Sequence, residues 1–253
     1  MKQSNITLIL TSTIDPRGTH FLKRNKVEDR LNDYKKSFSF WCNRKEIDKI
    51  IFIENSGFDL SYFNNYAKNI NDKKIEIISS NINDSYDKKL GKGYGEYLCY
   101  KEIITQSKLL NETEHFIIVT GRHIIQNFSN IYKEFKNSGS DICLNLIDNL
   151  RFADANIYYG TLNFFKNYVV PETKKVNDTD GKWLEHCVAD ATLKAIANGM
   201  KFNQLSIHPD VIGFIGTNNK IRKIRYFKKL RLFFFGDCIL RDHIESNDTS
   251  LRI

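Results

Sequence analysis

Four short runs rich in apolar β-branched residues recur at intervals through the first 120 residues: Ile6-Thr7-Leu8-Ile9-Leu10-Thr11, Ile50-Ile51-Phe52-Ile53, residues 75–80, and His115-Phe116-Ile117-Ile118-Val119-Thr120. Each ends in small polar or turn-forming residues, the pattern of a buried strand that opens into a loop. Between the first two runs, Val27, Leu31, Tyr34, Phe38 and Trp41 fall at spacings of four, three, four and three, the stripe of an amphipathic helix. Helices are expected again over residues 60–70 and 96–110. Strands alternating with helices at this density imply an α/β chain with a parallel, doubly wound sheet.

The second half is less regular. Strands are expected over residues 142–147 and 156–159, and a helix over 183–198, where Leu184, Val188, Ala191, Leu193 and Ala195 supply an apolar face. Residues 171–181 are polar and turn-rich and read as a mobile loop. A length of 253 residues suits one large domain or two small ones. With 41% hydrophobic and 27% charged residues but only 13 Gly and 3 Pro, collagen-like, linker-like and wholly disordered chains are excluded. The 38 Lys and Arg exceed the 30 Asp and Glu by eight, which favours anionic partners without choosing among nucleotides, nucleic acid, lipids or a membrane face. The five cysteines, Cys42, Cys99, Cys143, Cys187 and Cys238, stand singly with no CxxC pair, and read as reduced thiols rather than a zinc or redox site. The apolar run at residues 6–10 is too short to span a membrane and lacks the basic flank of a signal peptide, so a cytoplasmic location is expected.

In open α/β sheets ligands bind beyond the carboxyl ends of the strands. The residues there are Thr11-Ser12-Thr13-Ile14-Asp15, Glu54-Asn55-Ser56-Gly57, Lys92-Gly93-Tyr94-Gly95-Glu96 and Thr120-Gly121-Arg122-His123. All four are rich in hydroxyls, amides, glycines or charge, as a site for a polar ligand requires. Any one of them alone is equally an ordinary strand-to-helix turn. The alternate glycines after Gly91 read as a loop whose backbone N–H groups approach an oxyanion, with Lys92 adding a charge. It is neither a Walker A motif nor a Rossmann fingerprint, since the spacing fits neither.

The order TST, Arg30-x-x-Asp33-Tyr34, ENSG, KGYGE and TGR resembles a group of bacterial glycosyltransferases from capsule and lipopolysaccharide gene clusters, over roughly residues 6–216. The resemblance implies a GT-A-like (Rossmann-like), mostly parallel sheet flanked by helices. It implies transfer of a hexosyl group from a nucleotide-sugar donor, a UDP-sugar by preference, to a hydroxyl of a glycan or lipid-linked glycan acceptor in surface polysaccharide biosynthesis. Donor-binding residues would be Thr11, Ser12, Thr13, Asp15, Arg30, Glu54, Asn55, Lys92, Gly93, Glu96 and Arg122. GT-A enzymes usually end the fourth strand in Asp-x-Asp, which holds Mn²⁺ or Mg²⁺ against the donor diphosphate. Here Gly121-Arg122-His123 stands there, and Arg122, with Lys92, is expected to supply the charge instead. Asp148 and Asp154 are the remaining acidic positions for a metal, so metal dependence stays open.

An inverting transfer, the favoured stereochemistry, needs a general base. Glu185, in the first turn of the helix expected over 183–198, is the first choice, although a first-turn Glu also complements a helix dipole. Asp154 is the second carboxylate, and His186 and His208 are candidates for the acceptor side. The domain is read as residues 1–217, followed by a basic extension, 218–253. Seven basic residues and no acidic one stand at 220–231, with Ile221, Ile224, Phe227 and Leu230 every three residues. Such a basic amphipathic helix suits the anionic cytoplasmic face of the inner membrane, or packs on the domain with its lysines in water. The competing class is a non-catalytic nucleotide- or RNA-binding α/β module using this basic face, but no nucleic-acid-binding motif supports it, and no nucleic-acid partner is expected.

Overall fold

Every residue of β1 (Ile6–Ser12) is buried, because helices cover both faces of the sheet that it centres. Alternate side chains therefore enter different cores: Leu8 and Leu10 pack with Phe38, Trp41, Phe52, Phe63, Phe128 and Ile131, whereas Ile9 packs with Ile51, Tyr100, Phe116, Phe164 and Val188. The computed structural model describes residues 6–20, 22–214, 216 and 219. After β1 come α1 (Val27–Cys42), β2 (Lys49–Glu54), α2 (Ser61–Lys68), β3 (Lys74–Ser79), α3 (Lys92–Gln106), β4 (His115–Thr120), β5 (Ile124–Ile125), α4 (Phe128–Asn137) and β6 (Ile142–Leu144). There follow β7 (Leu146–Ile147), β8 (Phe152–Ala153) and β9 (Ile157–Thr161). Next, α5 (Leu162–Phe164) runs through a π-helical turn (Phe165–Val169) into α6 (Val170–Thr173), and α7 (Leu184–Ala197), β10 (Phe202–Gln204) and β11 (Val211–Ile212) complete the described elements.

The main sheet has seven strands in the order β10-β6-β9-β4-β1-β2-β3. The block β3-β2-β1-β4 is parallel, with Leu10 opposite Phe52 and Val119. β9 runs antiparallel to both β4 and β6, and β10 pairs parallel with β6. The fold is thus α/β, with the mostly parallel sheet flanked by helices that the sequence leads one to expect. Two short antiparallel pairs, β5 with β11 and β7 with β8, lie outside the main sheet. Among the described residues, no helix is long and apolar enough to cross a membrane. The basic segment at 220–231 and the extension at 218–253 lie outside the described residues, apart from Asn219.

Differences from the sequence reading have local causes. The expected strand at 142–147 is split into β6 and β7, because Asn145 leaves the main sheet and its carbonyl accepts the Asp154 N–H at 2.9 Å. The polar segment 171–181 is no mobile loop: Pro171 begins the last helical turn, Glu172, Thr173, Val176 and Asp178 are buried, and the Asn177 N–H bonds the Lys182 carbonyl at 2.8 Å. Cys42, Cys99, Cys143 and Cys187 are buried free thiols.

Where β4 ends, the Gly121 N–H donates to the Thr11 carbonyl at 2.9 Å, and a Cβ at this position would stand 2.4 Å from that oxygen. The contact is backbone to backbone, so no side chain can yield. Gly121→Ala is expected to destabilise the fold by about 2 kcal/mol or more, as overpacking does, and to lower the midpoint of urea unfolding. An unchanged midpoint would show that β1 and β4 can separate at their ends without cost.

Candidate active site

The carboxyl ends of β1 and β4, the first turns of α3 and α7, and the β7–β8 pair surround a cleft of about 1440 Å³. Thr11, Ser12, Thr13, Arg30, Lys92, Gly93, Glu96, Arg122, Asp154, Glu185 and His208 all line it. One cleft therefore collects residues that are nearly two hundred positions apart in the chain.

One end is cationic. Arg30 is 3% exposed, yet among the described residues it makes no ion pair with a carboxylate. Its Nε donates to the Thr13 carbonyl at 2.7 Å, Nη1 to the Arg24 carbonyl at 3.1 Å, and Nη2 to the Tyr34 hydroxyl at 3.1 Å and again to Thr13. Burial depresses its pKa, and the neighbouring charge of Arg122 depresses it further. Arg122 donates from Nε to the Phe214 carbonyl at 3.2 Å. Neighbouring arginines are neutralised: Arg24 pairs with Asp33 at 2.6 Å, and Arg17 pairs with Asp15 and Asp84. Among the described residues, the guanidinium groups of Arg30 and Arg122 have no carboxylate partner, an arrangement in one cleft that suits an anion.

The other end is acidic. The Glu96 Oε1 accepts from the Thr11 hydroxyl at 3.2 Å and the Tyr100 hydroxyl at 2.9 Å, and Tyr158 donates to Tyr100 at 3.1 Å. Burial raises the Glu96 pKa, and the charge of Glu185 raises it further. Asp178 lies at the start of α3, where the backbone N–H groups of Lys92 and Gly93 bond its carboxylate. Burial nonetheless raises its pKa, against the lowering effect of the Lys92 charge.

That arrangement corrects the reading of the glycine-rich segment as an anion-cradling loop. Gly91 is the N-cap of α3, with a φ of +84°, and helix begins at Lys92 rather than Glu96. Two N–H groups of the first turn, those of Lys92 and Gly93, are taken by Asp178. Gly93 and Gly95 are small for packing: a Cβ on the first would lie 2.9 Å from a Val176 methyl, and on the second 2.8 Å from the Tyr86 hydroxyl.

Four expected site residues do not line the cleft. Glu54 is fully buried beneath it, accepting from the backbone N–H groups of Ile14, Ser56 and Phe58 and from the Ser56 hydroxyl. Asn55, also buried, donates to the Gly95 carbonyl at 3.2 Å, and Asp15 faces Arg17. His186 stacks on Trp183 at 5.2 Å, meets Phe152 edge-on at 5.3 Å, and accepts the Trp183 N–H through Nδ1 at 3.2 Å. It orders the start of α7, and burial lowers its pKa. The sequence reading missed Asp178, Asn83 and Trp183, which do line the cleft. Trp183, two residues before Glu185, was the one of these with a local signal.

The donor set at the end of β4 does not fit a dication. Arg122 and His123 stand where carboxylates would be needed, and among the described residues no group of three His, Cys, Asp or Glu side chains could hold a metal. Asp154 is turned to its own loop, accepting from the Asn156 N–H at 3.1 Å and from the Asn156 amide. Asp148 is in the turn between β7 and β8, where Asp148, Asn149 and Leu150 all have positive φ.

No family model matches the chain, and no curated protein matches it. Among solved structures, it is similar to the inositol-1-phosphate CTP transferase from T. maritima, at 12% identity over 80% of this chain and 85% of that one, with a TM-score of 0.44. A cytidylyltransferase from Leptospira borgpetersenii is 11% identical over 98% of this chain and 96% of its own, with a TM-score of 0.45. The glycosyltransferase GlyE in Streptococcus pneumoniae is 5% identical over 80% of this chain and 45% of its own, with a TM-score of 0.47. At these identities and TM-scores the likenesses assign neither substrate nor reaction.

The raised Glu96 pKa has a testable sign. Above its ordinary value of 4.5, the folded chain still holds a proton there that the unfolded chain has released, so stability falls as pH climbs through the raised value. Glu96→Gln is expected to flatten the decline of unfolding free energy as pH rises above 4.5, measured by urea titrations at a series of pH values. An unaltered slope would mean that Glu96 ionises as freely in the fold as outside it.

Proposed function

We propose that this chain is a transferase that moves a hexosyl group from a nucleotide-sugar donor, a UDP-sugar by preference, to a hydroxyl of a glycan acceptor in bacterial surface polysaccharide biosynthesis. The observation that carries the reading is that one cleft is lined both by two arginines lacking carboxylate partners among the described residues and by Glu185 in the first turn of α7. Transfer of a glycosyl group from a diphosphate needs both, since negative charge develops on the leaving group while the attacking hydroxyl sheds a proton.

The acceptor oxygen attacks the anomeric carbon as the bond from that carbon to the diphosphate oxygen breaks, and the nucleoside diphosphate departs with the bonding electrons. Glu185 takes the hydroxyl proton. Arg122 and Arg30 hold the diphosphate, with Lys92 adding charge from the start of α3, so the work of a dication falls to side chains. Attack opposite the leaving group inverts the anomeric centre. Asp154 and His208 stand on the wall left for the acceptor, whose lipid-linked form would suit an enzyme working at the inner membrane's cytoplasmic face.

A thermal-shift screen of UDP-, GDP-, CMP- and TDP-sugars, each with Mn²⁺ and with EDTA, tests the reading. One nucleotide class is expected to raise the melting point, and to do so in EDTA. Glu185→Gln should keep that shift while losing about 100-fold or more in transfer rate. Arg122→Ala should weaken donor binding by about tenfold or more, the cost of a lost charged hydrogen bond. If no nucleotide sugar shifts the melting point under either condition, the transferase reading fails.

A further inference from the structure

Asn83 belongs to a single 3-10 turn, Ile82–Asp84, just beyond β3, and it is 1% exposed although it lines the cleft. Its backbone N–H donates to the Asn55 carbonyl at 2.8 Å, and its Nδ2 to the Asp15 carbonyl at 3.1 Å. The turn is thereby stitched to the loops that follow β1 and β2. Its Oδ1 is sheltered from solvent and accepts no hydrogen bond from the described residues. Turning the amide over would not relieve this, because Oδ1 would then face the Asp15 carbonyl, acceptor against acceptor. The bond to Asp15 therefore fixes which atom is left over, and that atom is an acceptor.

A buried acceptor without a donor destabilises the fold, and a ligand that supplies the missing donor recovers that loss. The acceptor's chemistry says which part of a ligand that is. Arg30 is bonded to the carbonyl of Thr13 and Asn83 to that of Asp15, so one short stretch beyond β1 holds both side chains, and both line the same cleft. A neutral amide oxygen repels a phosphate but suits an N–H, whereas the guanidinium groups suit the phosphates. We infer that Asn83 reads the base of the bound nucleotide, its Oδ1 accepting a ring or exocyclic N–H while the phosphates lie towards Arg30 and Arg122. This rests on the nucleotide-dependent reading above and names the group that would select the nucleotide. The shared chemistry is a base-edge N–H, a ring N–H in uracil and guanine and an exocyclic amino group in cytosine and adenine.

The test is calorimetric titration of the full chain with UDP, CDP, GDP, ADP and inorganic pyrophosphate. Asn83→Ala is expected to weaken the tightest nucleoside diphosphate by about tenfold or more while leaving pyrophosphate within about twofold. Should the variant lose pyrophosphate as well, the wild-type chain decides: the same nucleotide methylated so that its N–H is gone should bind about tenfold or more weaker than its parent. Equal affinity for the methylated and parent nucleotides, or undiminished binding by Asn83→Ala, overturns the assignment of Asn83 and leaves the transferase reading standing. Failure of every nucleoside diphosphate to bind the wild-type chain overturns both.

Discussion

The cleft depends on the buried carboxylate of Glu54. Parallel pairing sets Glu54 at the end of β2 opposite Ser12 at the end of β1, and from there its oxygens reach the Ile14 N–H at 2.9 Å, the Ser56 and Phe58 N–H groups at 3.0 Å, and the Ser56 hydroxyl at 2.5 Å. A carboxylate taken out of water needs donors in place of the water it loses, and here two loops supply them. The Ser56 hydroxyl passes the tie on by accepting the Asp15 N–H at 3.1 Å. Thr13 and Asp15 are held in this way, and their carbonyls in turn hold Arg30 and Asn83. A residue that touches nothing in the cleft thus sets the position of the groups that do.

A second constraint is the occupation of the α3 N-terminus. The start of a fifteen-residue helix carries partial positive charge and unpaired N–H groups, and would bind a phosphate if left open. Asp178 fills that position, and Gly91 has no side chain because a Cβ there would lie 2.0 Å from the Asp178 carboxylate. An anion entering the cleft therefore finds its binding capacity at the arginines beyond β1 and β4. Asp178 and Glu185 thus stand at the starts of α3 and α7, whereas Arg30, from the first turn of α1, and Arg122, after β4, reach the loops beyond β1 and β4.

Legibility in the sequence tracks the range of the forces involved. The strand expected at 115–120 is observed as β4 over the same residues, and the helical stripe from Val27 to Trp41 is observed as α1, because periodic burial is written in neighbouring residues. The antiparallel course of β9 is not so written, since pairing with β4 and β6 depends on where the chain turns rather than on the composition of Ile157–Thr161. Residues 162–173 form helix that the sequence reading missed; a π-helical turn and Pro171 interrupt the period that would have marked it. At the site, strand-end positions were informative for Thr11 to Thr13 and for Arg122. They misled for Glu54 and Asn55, whose side chains turn under the sheet end. Asp178 was invisible because its partners at the start of α3 are more than eighty residues away.

The acidic end shows why Glu96 and Glu185 are better understood together. The Glu96 Oε1 already accepts two hydroxyl hydrogen bonds, and the Tyr100 hydroxyl is itself pushed well above its ordinary range by burial, so it remains a donor at any working pH. What keeps Glu96 raised, after burial, is the negative charge on Glu185. In the transfer proposed above, Glu185 takes a proton from the acceptor and loses that charge, so one of the causes raising Glu96 is removed as Glu185 is protonated. Two carboxylates that line one cleft are in this way coupled, each negative charge disfavouring the other.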